Sequence, residues 1–315
     1  MAQIAIVGTG FIGRAWAIAH ARAGHDVRLW DQTATAATEA RDCIAGILPD
    51  LKANDLLHGC DADEVMARLH PVAALAEALE DVSYVQESTF EDLDVKKDVF
   101  ARLDADTPRD AVIASSTSAL LPSLFSEHVA GRDRCLVAHP INPPYLVPAV
   151  EVVPAPWTSQ DTIARTADTL RSIGNAPIVM KREIDGFVVN RLQGALLEEC
   201  FRLVADGYAG IEDIDVSIRE GLALRWSFMG PFETIDLNAP DGVRDYVDRY
   251  GDMYGQIHST AQHRANWTGP VLDGIERDRR AHLPADQLKS RQAWRDRRLM
   301  ALLRHKLQAK DTIGD

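Results

Sequence analysis

The sequence predicts an α/β protein: a mostly parallel sheet domain followed by an all-α helical domain. Three observations carry that expectation. Up to about residue 185, short apolar runs alternate with stretches of helical periodicity. The runs are apolar nearly without interruption, as strands covered on both faces require. Beyond Asp185 the strand signal fades and helical patterns fill the remainder. The 315 residues exceed what one core usually supports, so the chain divides into 1–185 and 186–315.

Taken in order, Ile4 to Val7 reads as a buried strand and Phe11 to Ala23 as the helix after it. Val27 to Trp30 is a second strand, followed by a helical stretch from about Thr33 to Ala53. After a polar connection come strands at Val82 to Gln86, Ala111 to Ala114 and Cys135 to Ala138. Leu93 to Leu103 and Leu120 to His128 supply the helices between them. Val147 to Val153 and Ile178 to Met180 are two more strands. They flank a helix starting at Thr158, where Thr158 and Asp161 have capping-box spacing. Phe187 to Asp206 is one long helix, with Leu192, Leu196, Leu197, Phe201 and Val204 at helical spacing and Gly207 as its stop. Ile211 to Leu222 is another, and a last one runs from about Pro284 to Lys310. Residues 240–285 read only as helices and loops.

Charge and cysteine usage narrow the partners. Lys and Arg number 34 against 47 Asp and Glu, a formal net charge of −13. Such a chain repels polyanions at long range, so nucleic acid is not an expected partner. The basic residues of the last helix, among them Arg295, Arg298 and Lys306, read as a solvated face rather than a nucleic-acid or lipid surface. Cys43, Cys60, Cys135 and Cys200 lie far apart, with no CxxC pair and no zinc spacing to a histidine, so no metal is expected. Scattered thiols and a start that runs directly into IAIVG point to a reducing, cytoplasmic location. No apolar run approaches membrane-spanning length, and no membrane role is expected.

Gly8-Thr9-Gly10-Phe11-Ile12-Gly13 fits GxGxxG. It follows a strand, opens a helix, and is succeeded by a second strand ending at Asp31, which together form a dinucleotide fingerprint. Gly8 permits the tight turn, Gly10 lets the backbone approach a pyrophosphate, and Gly13 lets helix and strand pack closely. The helix N-terminus offers N–H groups and partial positive charge to the phosphates. Asp31 would accept hydrogen bonds from ribose hydroxyls and repel a 2′-phosphate, so NAD is expected over NADP. The structural alternative is a glycine turn beside a solvated aspartate.

Three polar residues are delivered by apolar strands. Ser118 follows AVIAS, His139 ends CLVAH, and Glu151 sits inside AVEVV, where an isolated charge is costly unless paired. In an open parallel sheet the carboxyl ends of strands face the ligand crevice. A histidine there, supported by a carboxylate, suits a general base for an alcohol proton. Each has a structural alternative: a turn histidine before Pro140, a loop or ion-pair glutamate, and a serine capping the helix near Leu120.

The motifs GTGFIGRAWA, SSTSAL, VAHPINPP, VEVVP, DGFVVNRL and MGPFE resemble the 3-hydroxyacyl-CoA dehydrogenase superfamily, in family order from Gly8 to Gly230. The resemblance implies a Rossmann-like NAD-binding domain followed by a helical domain that forms a homodimer. It implies His139 as base, Glu151 as its partner, and Ser118 and Asn190 as contacts to the substrate oxygen. Glu87 and Lys97 complete the expected cofactor contacts, and Asn142 the substrate contacts. HPINPPYLVPAVEVVP, GPFETIDLNA and RQAWRDRRLM look like the branch of lambda-crystallin and L-gulonate 3-dehydrogenase, while GLALRWSFMG resembles carnitine dehydrogenases. These imply a small 3-hydroxy acid without CoA, with Arg225 gripping its carboxylate. Arg191 and Lys97 are lesser candidates for that grip. A 3-hydroxyacyl-CoA substrate and a non-catalytic NADH-binding role remain the alternatives. Trp226, Phe228 and Phe232 suit a pocket, an interface or a core.

Overall fold

The computed structural model describes residues 2–260 and 263–314. Two compact units emerge: Met1–Val189 with Asp296–His305, and Asn190–Arg295 with the chain from Lys306 onward.

The first unit is built on a sheet of eight strands among the described residues. They are β1 (Gln3–Val7), β2 (Asp26–Trp30), β3 (Leu69–Pro71), β4 (Tyr84–Glu87), β5 (Val112–Ser115), β6 (Cys135–Pro140), β7 (Ala149–Pro154) and β8 (Ala176–Val179). Their spatial order is β3-β2-β1-β4-β5-β6-β7-β8. All neighbours are parallel except β6 and β7, which run antiparallel. The order reverses between β1 and β4. That reversal opens a crevice at their carboxyl ends, where Val7 pairs with Glu87.

Strand alternation splits the apolar residues between two cores. Ile4 and Ile6 join Trp16, Ile18, Leu29, Ile44 and Leu136 in one. Ala5 and Val7 join Val85, Phe100, Ile113, Phe125 and Phe187 in the other. Helices α1 (Phe11–Arg22), α2 (Ala36–Ala53), α3 (Ala62–Ala67), α4 (Leu75–Leu79), α5 (Leu93–Asp106), α6 (Pro122–Ser126) and α7 (Gln160–Ser172) connect the strands. The polar connection after residue 53 therefore holds β3, α3 and α4. At three to six residues each, they are too short to impose a period on the sequence.

Two local expectations are corrected. The cap of α7 is Ser159, whose side chain accepts from the Thr162 N–H, and not Thr158. Thr158 is buried and instead donates its hydroxyl to the Cys135 carbonyl at 2.7 Å while accepting from the Ala155 N–H. The helix expected over Leu120 to His128 is only α6, with Pro122 in its first turn.

The second unit is helical: α8 (Val189–Ala205), α9 (Ile211–Val216), α10 (Ala223–Trp226), α11 (Pro231–Leu237), α12 (Val243–Thr260), α13 (Gly269–His282) and α14 (Leu288–Ile313). Gly207, at φ +74°, stops α8 by donating to the Val204 carbonyl while Tyr208 donates to that of Leu203. The helix expected through Leu222 changes to a π-helical turn over Ser217–Leu222 before α10. The last helix was expected wholly within the second domain, but its Asp296–His305 stretch counts with the first unit. Met300 is buried in the first core with Leu299 and Leu303 against it, and Arg297 and Arg304 pair with Asp50 and Asp55 at 3.3 and 2.9 Å. Among the described residues no helix is long and apolar enough to cross a membrane.

Candidate active site

The glycine loop between β1 and α1 is shaped by contacts that allow no side chain. Gly8 has φ +92°, and a Cβ there would lie 2.6 Å from the Ser88 carbonyl oxygen. A Cβ on Gly13 would lie 1.9 Å from the Gly8 carbonyl oxygen. One on Gly10 would meet nothing within 4 Å, so that backbone faces open space. Gly10 caps α1 without a side-chain hydrogen bond, leaving the first-turn N–H groups of Phe11, Ile12 and Gly13 to a ligand. Phe11 is exposed and Ile12 half-buried at this rim. Asp31, just past β2, accepts from the Thr9 N–H at 2.8 Å, the Thr9 hydroxyl at 3.2 Å and the Thr33 N–H at 3.0 Å. An open glycine cradle, an uncapped helix end and a fixed carboxylate suit the pyrophosphate and ribose of NAD.

Glu87 and Lys97, expected as cofactor contacts, lie in different surroundings. Glu87 is wholly buried, and its carboxylate accepts from the Thr89 N–H (2.5 Å), the Thr89 hydroxyl (2.6 Å), the Ser115 hydroxyl (2.6 Å) and Lys96 Nζ (2.7 Å). It has no face left for a ligand. Its service is to the turn at Ser88, which closes over Gly8. The buried lysine is Lys96, 1% exposed. Lys97 is the next residue of α5, about 100° further round the helix, half-buried, with its carbonyl against His128 Nε2.

His139 and Glu151 stand directly opposite each other across the antiparallel β6–β7 pair. His139 Nδ1 lies 2.7 Å from Glu151 Oε2. The second oxygen, Oε1, accepts from the Val188 N–H at 2.7 Å and the Val189 N–H at 2.9 Å, at the start of α8. Both residues are buried, yet the charge is fully satisfied. Burial alone would raise the Glu151 pKa. The hydrogen bonds from His139 and from the Val189 and Val188 amides outweigh it and hold the carboxyl below its ordinary value. An ionised carboxylate only accepts, so Nδ1 carries the proton and donates. In a neutral imidazole that tautomer puts the lone pair on Nε2. The buried Phe187 ring packs 5.5 Å from the imidazole, held at φ +50°, an uncommon backbone for a non-glycine residue.

Ser118 lies on the exposed turn after β5, and its N–H donates to Glu91 Oε1 at 3.0 Å. Glu91, which the sequence reading missed, is an exposed acid in a polar connection and carries no signal there. Asn142 is exposed in the loop after β6. Asn190, the residue after the amides that hold Glu151, and Arg225, in α10 beyond the π-helical turn, both belong to the second unit. Among the described residues no cluster of three or more His, Cys, Asp or Glu could hold a metal ion.

Comparison with known proteins shows the family. The profile of the 3-hydroxyacyl-CoA dehydrogenase NAD-binding domain matches residues 3–184, and that of its C-terminal domain matches 186–268. Lambda-crystallin of Oryctolagus cuniculus is 38% identical over 309 residues, covering 97% of each chain. L-carnitine dehydrogenase of Streptomyces griseus is 42% identical over 250 residues, covering 79% of this chain and 73% of that one. The solved structure of 5-formyl-3-hydroxy-2-methylpyridine 4-carboxylic acid 5-dehydrogenase, an NAD⁺-dependent dismutase, is similar at a TM-score of 0.81 with 26% identity, covering 96% of this chain and 98% of that one. With both domain profiles matched in order and relatives similar over nearly the whole length, the chain belongs to the 3-hydroxyacyl-CoA dehydrogenase family, NAD-dependent oxidoreductases acting on CH–OH groups.

Proposed function

We propose that this enzyme oxidises a small 3-hydroxy carboxylate, L-gulonate or a close analogue, to the 3-keto acid. The observation that carries the reading is the His139–Glu151 pair, with Nδ1 2.7 Å from Oε2 and Oε1 held by the Val188 and Val189 amides. Bound NAD⁺ supplies the hydride acceptor. His139 takes the proton of the C3 hydroxyl, and Glu151 stabilises the imidazolium that forms. Ser118 and Asn190 align the alcohol oxygen, with Asn142 lining the site beside His139. In the opposite direction His139 returns the proton to the developing alkoxide.

The free-acid reading rests on similarity to lambda-crystallin, of the L-gulonate 3-dehydrogenase branch, over 97% of the chain. Arg225 is assigned to the carboxylate, because a guanidinium grips that group through two parallel hydrogen bonds. L-Carnitine is the second reading, favoured by the 42% identity to a carnitine dehydrogenase. The chain works as a homodimer. Its support is the apolar surface of the helical unit, where Leu192, Phe228 and Phe232 are 67%, 69% and 81% exposed.

The test is NADH formation from NAD⁺ with L-gulonate, L-carnitine, L-3-hydroxybutyrate and its CoA ester. Selective turnover of L-gulonate is expected, and Arg225→Met should raise KM for the acid much more than KM for NAD⁺. Turnover of the CoA ester alone would overturn the free-acid reading. Turnover of carnitine alone would move the substrate and keep the mechanism.

A further inference from the structure

The connection between β4 and α5 carries a second carboxylate whose bonding has no purpose in the fold of its own segment. Glu91 sits in that connection, and its Oε1 accepts from three donors of another loop, the turn after β5. These are the Thr117 hydroxyl, the Ser118 N–H at 3.0 Å and the Ala119 N–H at 3.1 Å. The turn is fixed from its other side as well. Thr117 N–H donates to the Ser115 hydroxyl at 3.2 Å, and Leu120 N–H donates to the Thr117 hydroxyl at 3.0 Å. Glu91 thus supplies one carboxylate oxygen that meets both the backbone and the side chain of this turn. Charge-assisted hydrogen bonds of this kind are roughly twice as strong as neutral ones, and successive amides aimed at one oxygen fix a backbone closely.

We propose that Glu91 is a positioning residue, whose carboxylate holds the 117–119 turn so that the Ser118 hydroxyl is aimed at the substrate oxygen. This rests on the role of Ser118 in the proposed reaction. Glu91 is exposed, so it is not required for burial of a core, and the turn it binds is the one that delivers Ser118. The same segment is anchored at its start by Glu87, which fixes Thr89 and, with it, the Ser88 carbonyl against Gly8. One short connection therefore ties the dinucleotide loop to the serine turn through a carboxylate at each end.

A double-mutant cycle tests the proposal, with kcat/KM measured on the best acid of the panel alongside NADH affinity and melting temperature. Glu91→Ala should lower kcat/KM by about 10-fold to 10²-fold, the scale of an ångström of misplacement, with kcat falling more than KM for NAD⁺ rises. Glu91→Gln keeps an oxygen acceptor for the same three donors and should recover most of the loss. In the Ser118→Ala background, Glu91→Ala should cost less than about 2-fold further, because residues that act through one another are not additive. Full additivity in that background, or a Glu91→Ala loss confined to NADH affinity, would overturn the proposal. If Ser118→Ala alone leaves turnover intact, the role given to Ser118 fails first, and that outcome is read before any Glu91 variant is interpreted.

Discussion

The two units meet the demand for burial in opposite ways. In the sheet unit β4, β5 and β6 are buried at every position, and two apolar cores cover the sheet. In the helical unit the described residues include few buried side chains. Ile214, Thr234, Ala239, Ala265 and Arg202 are buried, while Leu192, Phe228, Phe232 and Leu237 are exposed. A parallel sheet with helices on both faces completes its core within one chain, whereas amphipathic helices left with apolar outer faces need another surface. The difference teaches where precision resides. The glycine loop, Asp31, His139 and Glu151 all belong to the unit that is complete by itself.

The largest effect tests that assignment directly. His139→Ala should lower kcat/KM by about 10²–10⁴-fold, the usual worth of positioned acid–base transfer, while NADH still binds. Asn190→Ala, in the helical unit, should lose less, since the role proposed for it aligns the alcohol without moving its proton. A larger loss from Asn190→Ala, or near-normal turnover without His139, would break the comparison by moving the decisive group out of the sheet unit.

The helical unit is tested through assembly. Phe228→Glu combined with Phe232→Glu should weaken dimerisation by about 3 kcal/mol or more, since burying one such ring contributes about 1.5–3 kcal/mol. Analytical ultracentrifugation across protein concentration would show the shift toward monomer, with NADH affinity of the sheet unit retained. An unaltered enzyme that sediments as a monomer at every concentration would remove the homodimer.

Much of this was legible in the sequence, for a physical reason. Strands buried on both faces leave apolar runs, and GxGxxG followed by a strand ending in Asp31 leaves a spacing, so the sheet and the cofactor loop could be read directly. His139 and Glu151 announced themselves as polar residues inside such runs, although only the antiparallel register sets them opposite each other. What failed to show was orientation. Lys96 and Lys97 are equivalent as letters, and only the helix turn sends Lys96 to Glu87. Ser159 and Thr158 are likewise interchangeable as caps until the buried Thr158 hydroxyl finds the Cys135 carbonyl. Glu91 gave no pattern because its three donors come from a segment 26 to 28 residues away. Met300 could not be assigned to the first unit because α14 is charged around most of its circumference.

A further variant sharpens the comparison through pH. The Glu151 carboxyl is held below its ordinary value in the folded state. It therefore contributes stability above the unfolded pKa, about 4.3 for glutamate, and that contribution is lost as pH falls through the folded value. Glu151→Gln should cost about 1–3 kcal/mol near neutrality, because His139 and two backbone amides lose their ionised acceptor. The melting-temperature gap between wild type and Glu151→Gln should close as pH drops below the glutamate range. A gap of constant size down to acid pH would mean that the carboxylate charge contributes nothing to the fold.

The smallest effect expected lies at the cofactor rim. Asp31→Asn keeps one oxygen acceptor, enough for Thr9 or for Thr33 but not for both, and removes the charge expected to repel a 2′-phosphate. One charge-assisted ribose contact made neutral should weaken NADH by about 1 kcal/mol, roughly 5-fold, and NADPH should gain by a similar factor. Fluorescence titration with both reduced cofactors measures the two constants on one sample. Loss of NADH affinity without gain for NADPH would mean that Asp31 serves the Thr9 turn alone, and that selectivity comes from the shape of the loop. Neither outcome should alter the oligomeric state, because Asp31 belongs to the unit that needs no second surface to complete its core.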